Sequence, residues 1–280
     1  MKPRPFDYVR PDTVEEAVAI LAEHGDDARI LAGGQTLLAM LNLRVIEPVI
    51  LVDITRIPEL DVIREIDTHG HGGGKIEVGA AVTQNRLMAW PALAQKLPLL
   101  AAALPFVGHF QTRNKGTVCG SIAHADPTSE IPLSLAVLGG EVVLRSARGT
   151  RVLAADDFQQ GMLATAREPD ELITAVRFPV MSGGVGFREV ARRHGDFAIV
   201  AVAAVVEGAS SIRVGVAGMA DRPAVRRIEA DGASSIRDAI ERLAWELEGY
   251  EDVHASARMR RDLLRGIAPV VIEEAKQCGA

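Results

Sequence analysis

"GHFQTRNKGTVCGSIAHADPTSEIP", residues 108–132, sits within a chain otherwise rich in aliphatic residues. It combines glycines, hydroxyls, amides and two histidines, with little in its pattern that resembles a packed helix. At its centre, "KGTVCGS" pairs a bend at Gly116 and Gly120 with the hydroxyls of Thr117 and Ser121. Glycine tolerates positive φ and lets a backbone approach closely, so such a bend offers main-chain N–H groups to an anion. Arg113 and Lys115 precede it; Asp126 and Glu130 follow, carboxylates of the kind that accept hydrogen bonds from ribose hydroxyls.

A second bend of the same type lies upstream in "ILAGGQT", residues 30–36. Gly33 and Gly34 stand between a strand pattern at Arg29–Ala32 and the helical pattern "TLLAMLNLR". A helix N-terminus leaves N–H groups unpaired, and Thr36 adds a hydroxyl, so the turn has the chemistry of a phosphate seat. A plain strand-to-helix turn has the same pattern, and a lone Gly-Gly does not choose between the two. The spacing lacks the third glycine of a Rossmann fingerprint. "HGGGKI" is no phosphate loop, because His69 replaces its first glycine and Ile76 its magnesium-binding hydroxyl. Two amide-rich turns suit a ligand with two linked phosphates, though two unrelated loops fit the composition equally.

The remaining pattern is mixed. Thr13 and Glu16 form a capping-box signature, followed by Val14, Ala17, Val18 and Leu21 at helical spacing and a stop at Gly25. "PVILVDIT" and "KIEVGAAVT" are strand patterns, the latter leading into a helix near Asn85–Ala89. "EVVLRSARGTRVLA" predicts a hairpin turning at Arg148-Gly149. After residue 178 three strands follow in "GVGFREVARR", "FAIVAVAAVVE" and "SIRVGVAGM". Helices near Ile236–Leu247 and Ser256–Lys276 close the chain, the second interrupted or kinked at Pro269.

Bulk properties narrow the function classes. The 280 residues are 48% hydrophobic and 24% charged, ordinary for a globular protein of two or three small domains. A net charge of -6 argues against general nucleic-acid binding. Cys119 and Cys278 cannot ligate an iron–sulfur cluster or build a disulfide framework. His69, His71, His109 and His124 stand at no zinc-ligand spacing, so no metal site is expected. No Ser-His-Asp or Cys-His order and no nucleophile elbow appears, so no catalytic residue is assigned. The chain shows no signal-peptide pattern and no stretch long enough to span a membrane, and a soluble cytoplasmic protein is expected.

"LAGGQTLLAMLNLR" and the stretch at 108–132, with "MKPRPFDYVRP", "FREVARRHGDFAIVAVAA" and "ASARMRRDLLRGIAP", closely resemble the flavoprotein subunit of molybdenum hydroxylases. Carbon monoxide dehydrogenase medium subunits and the flavin domain of xanthine dehydrogenases are examples, and the likeness covers nearly the whole chain. The resemblance implies an α+β protein: a bilobal FAD-binding domain of the vanillyl-alcohol-oxidase type, residues 1–177, then a smaller C-terminal α+β domain, residues 178–280. The lobes divide near residue 56, and the C-terminal domain would hold a three-stranded antiparallel sheet with helices. By the same matching, Leu31, Ala32, Gly33, Gly34, Gln35 and Thr36, with Thr117, Cys119, Gly120 and Ser121, would approach the FAD pyrophosphate. His124 and Glu130 would lie toward ribose and adenine, Ile173 beside the flavin, and Arg188 where many relatives carry a lysine near the ring; Asp126, read above as a ribose-binding carboxylate, is counted with the cofactor-binding residues.

Three residues depart from the family pattern. Cys119 replaces the first glycine of a pair, a strain of roughly 1–2 kcal/mol if the position requires positive φ. Phe197 replaces a tyrosine that stacks on or shields the flavin, keeping the π face and losing the hydroxyl. Met259 replaces a tyrosine with a packing consequence only. The implied job is electron transfer: FAD in this chain, [2Fe–2S] clusters on a small partner, molybdopterin on a large one, assembled as a dimer of heterotrimers. A stand-alone FAD-dependent oxidoreductase of the same fold is the alternative; it needs a proton donor facing the flavin, and none is evident.

Overall fold

The computed structural model describes residues 1–66, 74–208, 211–229 and 232–278. His69, His71 and the first half of "HGGGKI" fall outside the described residues. The N-terminal unit is β1 (Asp7–Val9), α1 (Val14–His24), β2 (Ala28–Leu31), α2 (Leu37–Leu43) and β3 (Ile50–Asp53). The three strands form a parallel sheet in the order β1-β3-β2. Thr13 caps α1 by accepting from the Glu16 N–H at 3.2 Å, and the Glu16 carboxylate accepts from the Asp12 N–H at 2.9 Å. Val14, Ala17, Val18 and Leu21 are its buried face, and Gly25, at φ 50, ends it.

The middle unit begins with β4 (Ile63–Ile66), β5 (Lys75–Gly79) and five short helices. These are α3 (Gln84–Met88), α4 (Leu93–Lys96), α5 (Pro98–Ala103), α6 (Phe110–Arg113) and α7 (Val118–His124). Then come α8 (Glu130–Leu138), β6 (Glu141–Ser146), β7 (Gly149–Ala154), α9 (Ala155–Phe158), β8 (Gln159–Gly161), β9 (Ala164–Thr165) and β10 (Leu172–Pro179). β4, β5, β10, β6 and β7 form one antiparallel sheet in that order. The hairpin turns at Ala147-Arg148, one residue before the expected position, because Ser146 pairs with Gly149. The stretch at 108–132 is helical in three places, contrary to expectation: α6, α7 and the start of α8. These helices are too short to declare a period, and α8 is buried on every side, which erases the amphipathic stripe.

The C-terminal unit is β11 (Val185–Val190), β12 (Val200–Glu207), β13 (Ser211–Ala217), β14 (Ala224–Glu229), α10 (Ala233–Glu246) and α11 (Ala257–Cys278). Its sheet has four antiparallel strands rather than three, β14 being an edge strand that carries exposed Arg226 and Arg227. α11 is uninterrupted through Pro269. β12 explains how the units join. Successive residues of a strand point to opposite faces. Ala201, Ala203 and Val205 pack into the core of the first two units, while Val200, Val202 and Ala204 pack against α11, in a core that α10 completes. A strand covered on both faces needs the unbroken apolar run seen in its sequence. No described helix is long and apolar enough to cross a membrane.

Candidate functional site

A cleft of about 730 Å³ opens between the N-terminal and middle units. Its floor is where the two glycine turns meet. A Cβ on Gly33 would collide with the Lys115 carbonyl and lie 2.7 Å from Gly116 Cα and 2.9 Å from Thr117 N. Gly34 has φ +68, the left-handed region that glycine occupies without strain. The second turn is itself clamped to α3 and the loop before it: the Gln84 N–H donates to Gly116 O at 2.8 Å, and the Val118 N–H to Val82 O at 3.1 Å. Two segments some eighty residues apart therefore share one wall, roughly as the pairing of two amide-rich turns requires.

The cleft brings together Ala32, Gly33, Gly34, Gln35, Thr36, Thr117, Cys119, Gly120, Ser121, His124, Glu130, Ile173 and Phe197. Ile173 lies at a break in the β10–β6 register, a bulge of the sort that re-aims a side chain at a site. Phe197, 67% exposed, stands at the rim in the loop joining β11 to β12. Leu31, Asp126 and Arg188 do not line the cleft. Leu31 packs beneath the first turn, its Cδ1 3.1 Å from where a Gly34 Cβ would be. Asp126 accepts from the N–H and hydroxyl of Thr128, at 2.8 and 2.6 Å, and so shapes the entry to α8. Arg188 donates through Nε to Glu274 of α11 at 2.9 Å.

The departures at the second turn have structural readings. Cys119 is in α7, not in the left-handed region, so its side chain carries no backbone strain. Its Sγ contacts Val78 O at 3.5 Å, and burial pushes the thiol's pKa up, away from reactivity. The residue that takes positive φ is Ala125, after the last turn of α7. Thr117 is the N-cap of α7, its hydroxyl accepting from the Gly120 N–H at 3.0 Å. Thr36, at the N-cap of α2, has no such side-chain bond.

The electrostatics of the cleft are unusual for a protein interior. Glu130 is 7% exposed, and burial, joined by the charge of Asp126, pushes its pKa up to about 7. Glu189 of β11, which does not itself line the cleft, is pushed up to about 8 by burial and then by Glu130, and its Oε2 has no hydrogen-bond partner among the described residues. Gln84 lines the cleft with a buried Oε1 that has no partner among the described residues. Arg29 and Arg167 also line it. Neither arginine nor Gln84 stands out in the sequence: Gln84 follows an ordinary cap, and each arginine lies in an unremarkable local pattern. Unmet hydrogen-bonding capacity in a concave site is what a polar ligand completes.

Residues 4–181 match the family described as the FAD binding domain in molybdopterin dehydrogenase. The chain belongs to that family. It is 42% identical over 224 residues to the caffeine dehydrogenase subunit beta of Pseudomonas sp. (strain CBB1), covering 79% of this chain and 73% of the relative. It is 37% identical to subunit alpha of the 6-hydroxypseudooxynicotine dehydrogenase complex of Paenarthrobacter nicotinovorans, covering 95% and 92%. Its fold superposes on a chain of the carbon monoxide dehydrogenase from Hydrogenophaga pseudoflava with a TM-score of 0.92, at 31% identity and full coverage of both chains. The residues of the cleft fit the family's cofactor: a glycine wall a Cβ would fill, and an orphaned amide oxygen able to accept from a hydroxyl or ring N–H.

Proposed function

We propose that this chain is the FAD-carrying electron-transfer subunit of a multi-subunit molybdenum hydroxylase. It takes electrons from [2Fe–2S] clusters of a small partner, a molybdopterin-bearing large partner performs the substrate hydroxylation, and an external acceptor receives the electrons. The cytoplasm is its compartment and a dimer of heterotrimers its assembly. Bound flavin supplies the ability to accept electrons singly and release them in pairs. The chain's own residues bind, orient and shield it. On this reading the two lobes of a vanillyl-alcohol-oxidase-type fold are residues of about 1–55 and 56–177, followed by a C-terminal domain from 178.

The observation that carries the reading is the contact of Gly33 with Lys115–Thr117, which joins two amide-rich turns into one wall beside a cleft of dinucleotide size. In this arrangement Ala32–Thr36 and Thr117–Ser121 hold the diphosphate, and Glu130 and His124 face ribose and adenine. Ile173 and Phe197 take the ring. Arg188, paired with Glu274, contributes a distant charge at most.

The test is flavin content. The purified chain binds FAD stoichiometrically and is yellow. Gly33→Ala loses flavin by at least about tenfold, because the new methyl separates the two turns or is itself overpacked at about 1–3 kcal/mol. A colourless wild-type chain that takes up no added FAD overturns the proposal. FAD-loaded chain without its partners hydroxylates no organic substrate; turnover by this chain alone would favour the stand-alone flavoenzyme.

A further inference from the structure

Arg29, on β2, and Arg167, between β9 and β10, approach the cleft from different units. The Arg29 Nη1 donates to the carbonyls of Asp26 at 2.7 Å and Ala28 at 2.8 Å. The Arg167 Nη1 donates to the carbonyls of Glu168, Pro169 and Glu171 at 3.0, 3.3 and 2.8 Å. Each guanidinium is thus aimed by main chain through a single nitrogen, and Nε and Nη2 of both have no acceptor among the described residues.

Carboxylates are close by, yet they are committed elsewhere. Glu168 and Asp170 pair with Arg148 at 2.6 and 2.7 Å, and Glu171 pairs with Arg151 at 2.6 Å. Asp26 offers Arg29 its carbonyl and acts on Arg167 only at a distance. Among the described residues neither cleft arginine has an ion-pair partner, whereas the arginines of the neighbouring hairpin do. Burial, and then the like charge of Arg29, lowers the pKa of Arg167. Two cations that line one cleft, and that among the described residues are offset by carboxylates only at a distance, repel each other, and an anion seated between them relieves that cost.

We propose that Arg29 and Arg167 form a cationic subsite that recognises a phosphate group of the bound dinucleotide. The inference rests on the FAD reading and adds to the glycine wall a second, charged recognition element that distinguishes a dinucleotide from its unphosphorylated parts. Planar guanidinium forks with free donors match phosphate oxygens, and charge-assisted bonds of this kind are about twice as strong as neutral ones.

The experiment titrates the flavin-stripped full-length chain with FAD and with ADP by calorimetry, at low and at high salt. Arg29→Gln and Arg167→Gln each weaken both ligands at least about tenfold at low salt, equivalent to about 1.4 kcal/mol. The loss shrinks at high salt, because screening acts on the charge and not on the shape of the cleft. Arg167→Lys restores part of the affinity. Variants that bind FAD and ADP within about twofold of wild type overturn the pair while leaving the FAD reading intact. A loss equal at both salt concentrations also overturns it, since that marks collapse of the loop held by Arg167. A wild-type chain that binds neither ligand overturns the FAD reading itself.

Discussion

In the five-stranded sheet, Glu77 is 4% exposed and holds two cations: Arg64 at 2.5 Å and Arg177 at 2.8 Å. Along the cleft, Glu130 is buried almost as deeply and holds none among the described residues. Burial alone would raise both carboxyls; at Glu77 the bonds from Arg177 and Arg64 overcome it and hold the pKa below the usual range. The cations repeat the pattern. Arg260 of α11, 1% exposed, donates to Ile199 O, Gly218 O, Tyr250 O and Asp252 at 2.5–3.1 Å. Among the described residues, Arg167 has only one nitrogen engaged. At Glu77 and Arg260, in the scaffold, the buried charge is answered from within. Where the chain is a site, charges are left for a ligand to answer.

The comparison breaks most visibly at Arg260. Arg260→Met leaves the Asp252 carboxylate and two buried carbonyls without their donor, and denaturant unfolding should record a loss of about 3–5 kcal/mol. A loss under about 1 kcal/mol would mean that the scaffold charges are no better integrated than those of the cleft.

Glu130 tests the other side through pH. Its folded pKa, about 7, lies above the ordinary 4.5, so the flavin-free folded state binds more protons than the unfolded state between those values. Stability from this group is therefore present at acid pH and lost as pH rises through the window, by about 3 kcal/mol in all. Glu130→Gln should flatten that slope. Glu77 has the opposite sign: its stabilisation is present above the unfolded pKa and is lost as pH falls through its depressed folded pKa. A wild-type chain whose flavin-free stability rises from about pH 5 to about pH 7 would contradict the assignment of Glu130.

The smallest effects separate the two helix starts beside the cleft. Thr117→Ala removes the cap from the Gly120 N–H and should cost about 1 kcal/mol. Thr36→Ala removes a hydroxyl with no capping bond and should cost less than about 0.5 kcal/mol. Equal thermal shifts in the two variants would erase that distinction.

Local physics made several elements legible. The cap at Thr13, the buried stripe of α1 and the apolar run of β12 follow from periodicity and side-chain chemistry. β14 escaped because an edge strand guarded by Arg226 and Arg227 shows no apolar alternation. The helices at 110–138 escaped because four- and seven-residue helices depend on packing, and α8 has no polar face to mark it. Most of the candidate cleft residues came from the resemblance carried by "LAGGQTLLAMLNLR" and residues 108–132. Arg29, Arg167 and Gln84 did not, since residue type says nothing about whether a partner is in reach.

Sequence alone determined the paired glycine turns, the main strands of the sheets and the family, because these rest on local backbone preference, periodicity and motif identity. Tertiary structure decided that Gly33 meets Lys115–Thr117 and that Arg148 and Arg151 take the carboxylates beside Arg167. It also decided that Glu130 is buried without a cation among the described residues. Desolvation and pairing depend on which distant segments come together, and no local stretch of chain encodes that by itself.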